Sequence, residues 1–373
     1  MKQFYYNVLV DKEDLADRKE DIEFLKNTLK NKKKIVLYAP RRCGKSSISK
    51  NIIPQELKSK NFMAIYCDFM GTKTKEEVAF RLSKGLAEGM EEYIPAQKLF
   101  EAAKQIIKNM TIAFDTNPIT GEASFGLAVK KGQGPSISSI TKNYLELSKK
   151  YNCLFIFDEF QDIKDVDDTL SLLRTDLQTL KNTPILFLGS KRRLLNEIFT
   201  SYQSPFFNFA DEYILKPIPL QDWVEFFEER LNPIKVNLAE EALSELLKIS
   251  LDVPNTICEI GSYIQSKCKK EKINNTKLFT LIDELINAKS ESFYFQLKQL
   301  TSSEGKILSA LAKNEYTLEI QSKSFQAMTE LSLSGIKKSI NKLYNNGLVE
   351  EEAKGYRLSN PLFRLFLLKN PVV

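Results

Sequence analysis

The sequence predicts an α/β fold, a largely parallel sheet covered by helices on both faces, followed by a helical region and a small C-terminal unit of helices and a wing. Three observations predict it. Short apolar runs alternate with helical patterns through the first 219 residues, a basic glycine-containing turn follows the first strand-like run, and strand-like runs stop after Pro219.

The elements follow in order. Residues Asp21 to Leu29 carry Ile22, Leu25 and Leu29 at helical spacing, with acids early and Lys26 and Lys30 late, as the helix dipole favours. Ile35-Val36-Leu37-Tyr38 is a run of strand length, and further strands are expected at Met63–Cys67, Cys153–Phe157, Ile185–Leu188 and Glu212–Leu215. One insertion breaks this rhythm. Thr111–Phe114 and Ser124–Val129 flank the turn-rich Asp115–Gly121, which reads as a β-hairpin near residues 110–131, closed by Gly132–Ser136. Beyond Pro219, amphipathic helices are expected to about Leu300.

At 373 residues the chain exceeds one ordinary core, and domains are expected at 1–219, 220–300 and 301–373. No run approaches the roughly 18 apolar residues of a membrane span, and the first residues lack a secretory pattern, so a cytoplasmic protein is expected. The five cysteines are scattered without CxxC spacing, which suggests neither a disulfide framework nor a zinc site. Histidine is absent, which excludes Ser-His and Cys-His catalysis and imidazole ligation. Chemistry must rest on carboxylates, lysine, hydroxyls and a cofactor. A net charge of +6 over this length is weak support for nucleic-acid binding.

The segment Ala39-Pro40-Arg41-Arg42-Cys43-Gly44-Lys45-Ser46 fits the Walker A pattern, except that Ala39 stands where the first glycine is usual. A strand precedes it and Ser47–Ile53 can continue as a helix. Pro40–Ser47 would form the segment that binds ATP or ADP: backbone N–H groups at the helix start would surround the phosphates, Lys45 would reach the β- and γ-phosphates, and the Ser46 hydroxyl would ligate Mg2+. Leu154–Phe157 then ends in Asp158 and Glu159, placing two carboxylates at the carboxyl end of a buried strand. Asp158 is expected on the Mg2+ and Glu159 on the attacking water as general base. Ser190, after the next strand, is a candidate sensor of the γ-phosphate, although a serine there also serves as a turn or helix cap.

Together these residues resemble the archaeal-type ATPase family of AAA+-related P-loop proteins, over nearly the whole chain. The resemblance rests on Asp17-Arg18-Lys19-Glu20, Pro40–Ser47, Phe157-Asp158-Glu159-Phe160-Gln161, Gly189-Ser190, Leu215–Ile218, the hairpin and Ser359–Arg364. It implies a P-loop ATPase core with a five-stranded parallel sheet, an inserted β-hairpin, a helical lid and a C-terminal winged-helix domain. Two departures matter. Ala39 is tolerable if its φ is negative. Phe209 stands where relatives often carry an arginine that acts in trans, so activation by a neighbouring subunit is in doubt; Arg192 and Arg193 are candidates to replace it or are solvated surface.

In the C-terminal unit, Ile336, Ile340 and Leu343 form the buried face of a helix that leaves Lys337, Lys338, Asn341 and Lys342 outside. Gly347 ends it, and Leu348–Glu350 with Tyr356–Leu358 suggests a wing around Gly355. Such a helix suits the major groove of double-stranded DNA, whereas Glu350, Glu351 and Glu352 in the wing would repel it and favour a protein partner or the chain's own core. Two functions stay open: an ATP-driven switch acting on a partner, and an ATP-regulated DNA-binding protein like the replication initiators. The sequence permits an oligomer without implying one.

Overall fold

The computed structural model describes residues 2–58, 61–106, 111–116, 123–128, 136–352 and 355–371. Two compact units emerge, one of residues 19–39 and 45–215, the other of residues 1–18, 40–44 and 216–373.

The first unit is the α/β core. Its strands are β1 (Lys34–Tyr38), β2 (Phe62–Asp68), β5 (Asn152–Asp158), β6 (Ile185–Gly189) and β7 (Asp211–Ile214), in the order β2-β5-β6-β1-β7 with every pair parallel. The three central strands are nearly continuous apolar runs because both faces of a parallel sheet are covered. Edge strand β7, Asp-Glu-Tyr-Ile, is largely exposed. The helices are α1 (Lys19–Lys30), α2 (Ile53–Lys58), α3 (Lys75–Tyr93), α4 (Ala96–Ile106), α5 (Ile137–Lys150), α6 (Thr169–Leu177) and α7 (Arg192–Phe199). Strands β3 (Thr111–Thr116) and β4 (Ala123–Ala128) form the expected antiparallel hairpin. The rest of its turn and residues 132–135 of the closing segment lie outside the described residues.

Phenylalanines make the floor beneath the carboxyl ends of β5 and β6. Phe160 is fully buried, with its ring 4.8 Å from Phe187 and 5.3 Å from Phe206, and Phe157 stacks on it at 6.1 Å. Each such burial contributes about 1.5–3 kcal/mol. This packing anchors the 3-10 turn Phe160–Ile163 directly after Glu159. The next α-helix, α6, starts only at Thr169.

The second unit contains α8 (Leu220–Leu231), β8 (Asn237–Leu238), α9 (Glu240–Ile249), α10 (Pro254–Lys267), β9 (Lys272–Ile273), α11 (Asn275–Ala288), α12 (Ser290–Lys298), α13 (Ser302–Ala312), α14 (Lys323–Thr329), α15 (Leu333–Asn345), β10 (Val349–Glu352), β11 (Gly355–Leu358) and α16 (Pro361–Lys369). Phe4 packs on Phe226 and Phe227, and the buried Arg230 donates to the Gln3 carbonyl. The expectation that strands end at Pro219 fails in one detail. β8 and β9 pair in parallel over two residues each, too few for an alternating pattern to register.

The last six elements make a winged helix, with α13 and α15 as its two longest helices and β10–β11 as an antiparallel wing. Thr317 bridges Tyr356 beside the wing. Glu350 is buried rather than displayed; the Arg357 Nη2 donates to it at 3.1 Å and forms an ion pair with Glu352 at 2.8 Å. Glu351 accepts from the Tyr356 hydroxyl at 2.8 Å. The wing carboxylates are therefore partnered, which removes much of the repulsion expected of them.

Candidate functional site

The phosphate-loop candidate follows β1. Ala39 is buried and is not among the described residues with positive φ, so its methyl replaces the usual glycine hydrogen without strain. Arg42 and Gly44 take left-handed φ values of +64° and +86° on either side of Cys43. Helical structure starts at Lys45, passes through a π-helical segment, Ser47–Ile52, and continues as α2. Ser46 lies half-buried in its first turn and Ser47 is buried. The Cys43 thiol is buried, which pushes it up to about 12 and makes it inert as a nucleophile. Pro40 and Arg41 are half-buried. The Arg41 backbone N–H donates to Glu350 Oε1 at 3.2 Å, and the Arg42 carbonyl accepts from the Asn255 N–H at 3.2 Å.

β6 lies between β1 and β5, so the carboxyl ends of three neighbouring strands deliver Lys45, Ser190, and the Asp158-Glu159 pair to one place. Lys45 and Asp158 are only 6% and 4% exposed. The Lys45 ammonium bonds Asp158 Oδ1 and lies 3.0 Å from Glu159 Oε1. Burial works against this ammonium, yet the two carboxylates outweigh it and raise its pKa above the ordinary lysine value.

Asp158 is held on its other side by a group the sequence reading did not name: the Tyr66 hydroxyl, from β2, donates to Oδ2 at 2.6 Å. Burial first, then the Asp158 charge, pushes that phenol well up, which keeps it a proton donor.

Glu159 sits at φ +49°, ψ +41°, a left-handed conformation costing an L-residue about 1–2 kcal/mol. Its Oε2 accepts from Gln161 Nε2 at 2.5 Å and from the Ser190 hydroxyl at 3.1 Å. Burial pushes this carboxyl up, but the Lys45 charge and the hydrogen bonds of Gln161, Lys45 and Ser190 override it and hold it below the usual carboxylate range.

Phe209 packs against Phe206 with its ring centre 5.1 Å away, under the Arg174 guanidinium at 4.4 Å. Arg193 pairs with Glu197 one turn along α7 at 3.9 Å, and Arg192 lies 5.9 Å from the Tyr38 ring centre.

These donors fit a magnesium nucleotide. The described residues contain no cluster of three or more His, Cys, Asp or Glu able to hold a metal by themselves. A hydroxyl, Ser46, and one oriented carboxylate, Asp158, instead match the way Mg2+ uses few protein ligands together with phosphate oxygens.

A parallel sheet carrying a phosphate loop after β1 and an acidic pair after β5, with a C-terminal winged helix, defines a P-loop ATPase fold of the AAA+ kind. Residues 291–369 match the family described as "probable winged helix domain". No curated protein sequence matches the chain. Among solved structures, it is similar to the Walker-type ATPase PABY2304 of Pyrococcus abyssi, at 18% identity and TM-score 0.64, covering 98% of this chain and 99% of that one. It is also similar to the ORC2 protein of Aeropyrum pernix, in ADPNP–ADP complexes, at 12% identity and TM-score 0.54, covering 99% of this chain and 96% of that one. At these identities the likeness is one of fold. No helix of the described residues is long and apolar enough to cross a membrane.

Proposed function

We propose that the chain binds ATP with Mg2+ and hydrolyses it, acting as a switch whose partner binding follows its nucleotide state. The observation that carries this reading is the buried Lys45 ammonium on Asp158 and Glu159 at the root of a left-handed phosphate loop. Ser46 and Asp158 would hold Mg2+, which when bound neutralises charge on the phosphate oxygens. Lys45 exchanges its carboxylate partners for the β- and γ-phosphates, and its departure uncovers Glu159 Oε1. That oxygen takes the proton of the attacking water as the water oxygen bonds to the γ-phosphorus and the bond to the ADP oxygen breaks, giving ADP and phosphate. Ser190 serves by holding Glu159.

Lys45→Ala tests the reading. It removes a charge-assisted bond worth about 1.5–3 kcal/mol, so calorimetry with Mg-ATP should find affinity about 10- to 100-fold weaker. Unchanged affinity in a folded variant would remove the loop from the proposal.

A second reading, an ATP-regulated protein that binds double-stranded DNA, is favoured by one observation: Lys337 and Lys338 are exposed side by side on α15. Lys342 is already engaged, its ammonium 2.7 Å from the buried Glu304. Replacing Lys337 and Lys338 with glutamine should therefore lower the salt dependence of duplex binding by roughly two units, with Lys342→Gln adding little. Absence of duplex binding by the parent at low salt, with and without ATP, would leave a protein as the partner of the winged helix.

A further inference from the structure

The loop, the acidic pair and Ser190 leave one buried polar group at the site without a role. Gln161, 2% exposed, extends from the 3-10 turn after Glu159. Its Nε2 spends both hydrogens on carboxylates, Glu159 Oε2 at 2.5 Å and Asp162 Oδ1 at 3.1 Å. Reversing the amide would set its oxygen against both negative groups, so the chemistry fixes its orientation. The carbonyl Oε1 is buried without a hydrogen-bond partner and lies against the bare Cα of Gly189, only 2.0 Å from where a Cβ would stand. An unpaired buried carbonyl is costly, and it is retained here beside a glycine that admits it.

Glu159 is thus held asymmetrically. Oε2 receives two donors, Gln161 and Ser190, while among the described residues Oε1 receives only Lys45. A general base needs an open lone pair in a fixed direction.

We propose that Gln161 is a positioning residue for hydrolysis: with Ser190 it locks Oε2 of Glu159, so that Oε1 alone faces the reacting water once Lys45 has turned to the phosphates. Gly189 belongs to the same device, because any side chain there displaces the Gln161 amide. The inference rests on the ATPase reading above and adds to it which oxygen acts and what aims it.

The experiment compares the parent, Gln161→Ala, Gly189→Ala and the double variant by single-turnover hydrolysis of Mg-ATP, with Mg-ATP affinity measured by calorimetry. Misplacing the base should slow hydrolysis about 100-fold in each single variant while leaving affinity unchanged. The double variant should lose much less than the product of the two single losses, because the new methyl then meets only Leu195, whose Cδ1 lies 2.7 Å from the Cβ position, and no longer the glutamine amide. If Gln161→Ala fails to fold, Gly189→Ala carries the test, and the reverse holds. Parental rates in the folded single variants, or losses that multiply in the double, would overturn the positioning role while the ATPase reading stands. A parent that neither binds nor hydrolyses ATP would overturn both.

Discussion

Glu159→Gln is expected to leave Mg-ATP bound and to slow its hydrolysis about 10²–10⁴-fold, the usual contribution of a positioned general base. The geometry makes this substitution clean. Gln161 and Ser190 both donate to the Oε2 position, so the new amide must keep its oxygen there and put its NH2 at the Oε1 position. That NH2 cannot accept a proton and faces the Lys45 ammonium, donor against donor, which frees Lys45 for phosphate. Single-turnover phosphate release with calorimetric binding is the measurement. Hydrolysis at the parental rate would mean that another group takes the proton.

The second large effect is on stability, in the winged-helix unit. The Arg357 guanidinium, 3% exposed, donates to Glu350, the Leu251 carbonyl and the Tyr316 hydroxyl and forms an ion pair with Glu352. Arg357→Ala strands Glu350 as a buried charge and should cost about 3–5 kcal/mol, read from the unfolding transition of this unit. The pH dependence has a definite sign. Burial already raises the Glu350 carboxyl, with Arg357 opposing it, so removing Arg357 raises it further. A raised carboxyl stabilises the fold at low pH and loses that contribution as pH rises through the folded value. The deficit of Arg357→Ala should accordingly be greatest at neutral pH and shrink toward acid. A deficit below about 1 kcal/mol, the range of a surface ion pair, or one that grows in acid, would contradict the buried-pair account.

Much of the core was legible in the chain because its signals are local. Apolar runs of strand length announced β1, β5 and β6, since strands covered on both faces need no polar alternation, and the β-rich runs Met63–Cys67 and Glu212–Leu215 announced the two edges. Gly44-Lys45-Ser46 between strand and helix and Asp158-Glu159 at a strand end are local patterns, and the structure brings Lys45 within hydrogen-bond reach of both acids. Tyr66 and Gln161 were not given roles. Tyr66 meets Asp158 because β2 pairs with β5, a neighbour relation between segments 92 residues apart that no local pattern encodes.

By itself, the sequence determined the strands of the parallel sheet, the hairpin strands and the helix that carries Ile336, Ile340 and Leu343, all consequences of side-chain periodicity and short-range backbone preference. Tertiary structure alone decided how the charges are spent. It turned Glu159 left-handed, set Gln161 against Gly189, buried Glu350 under Arg357 and drew Lys342 onto Glu304. The reason is physical: periodicity says which face of an element is apolar, but the partner of a buried charge comes from whichever distant segment the packing brings within hydrogen-bond reach, because leaving that charge unpaired costs more than the fold can spare.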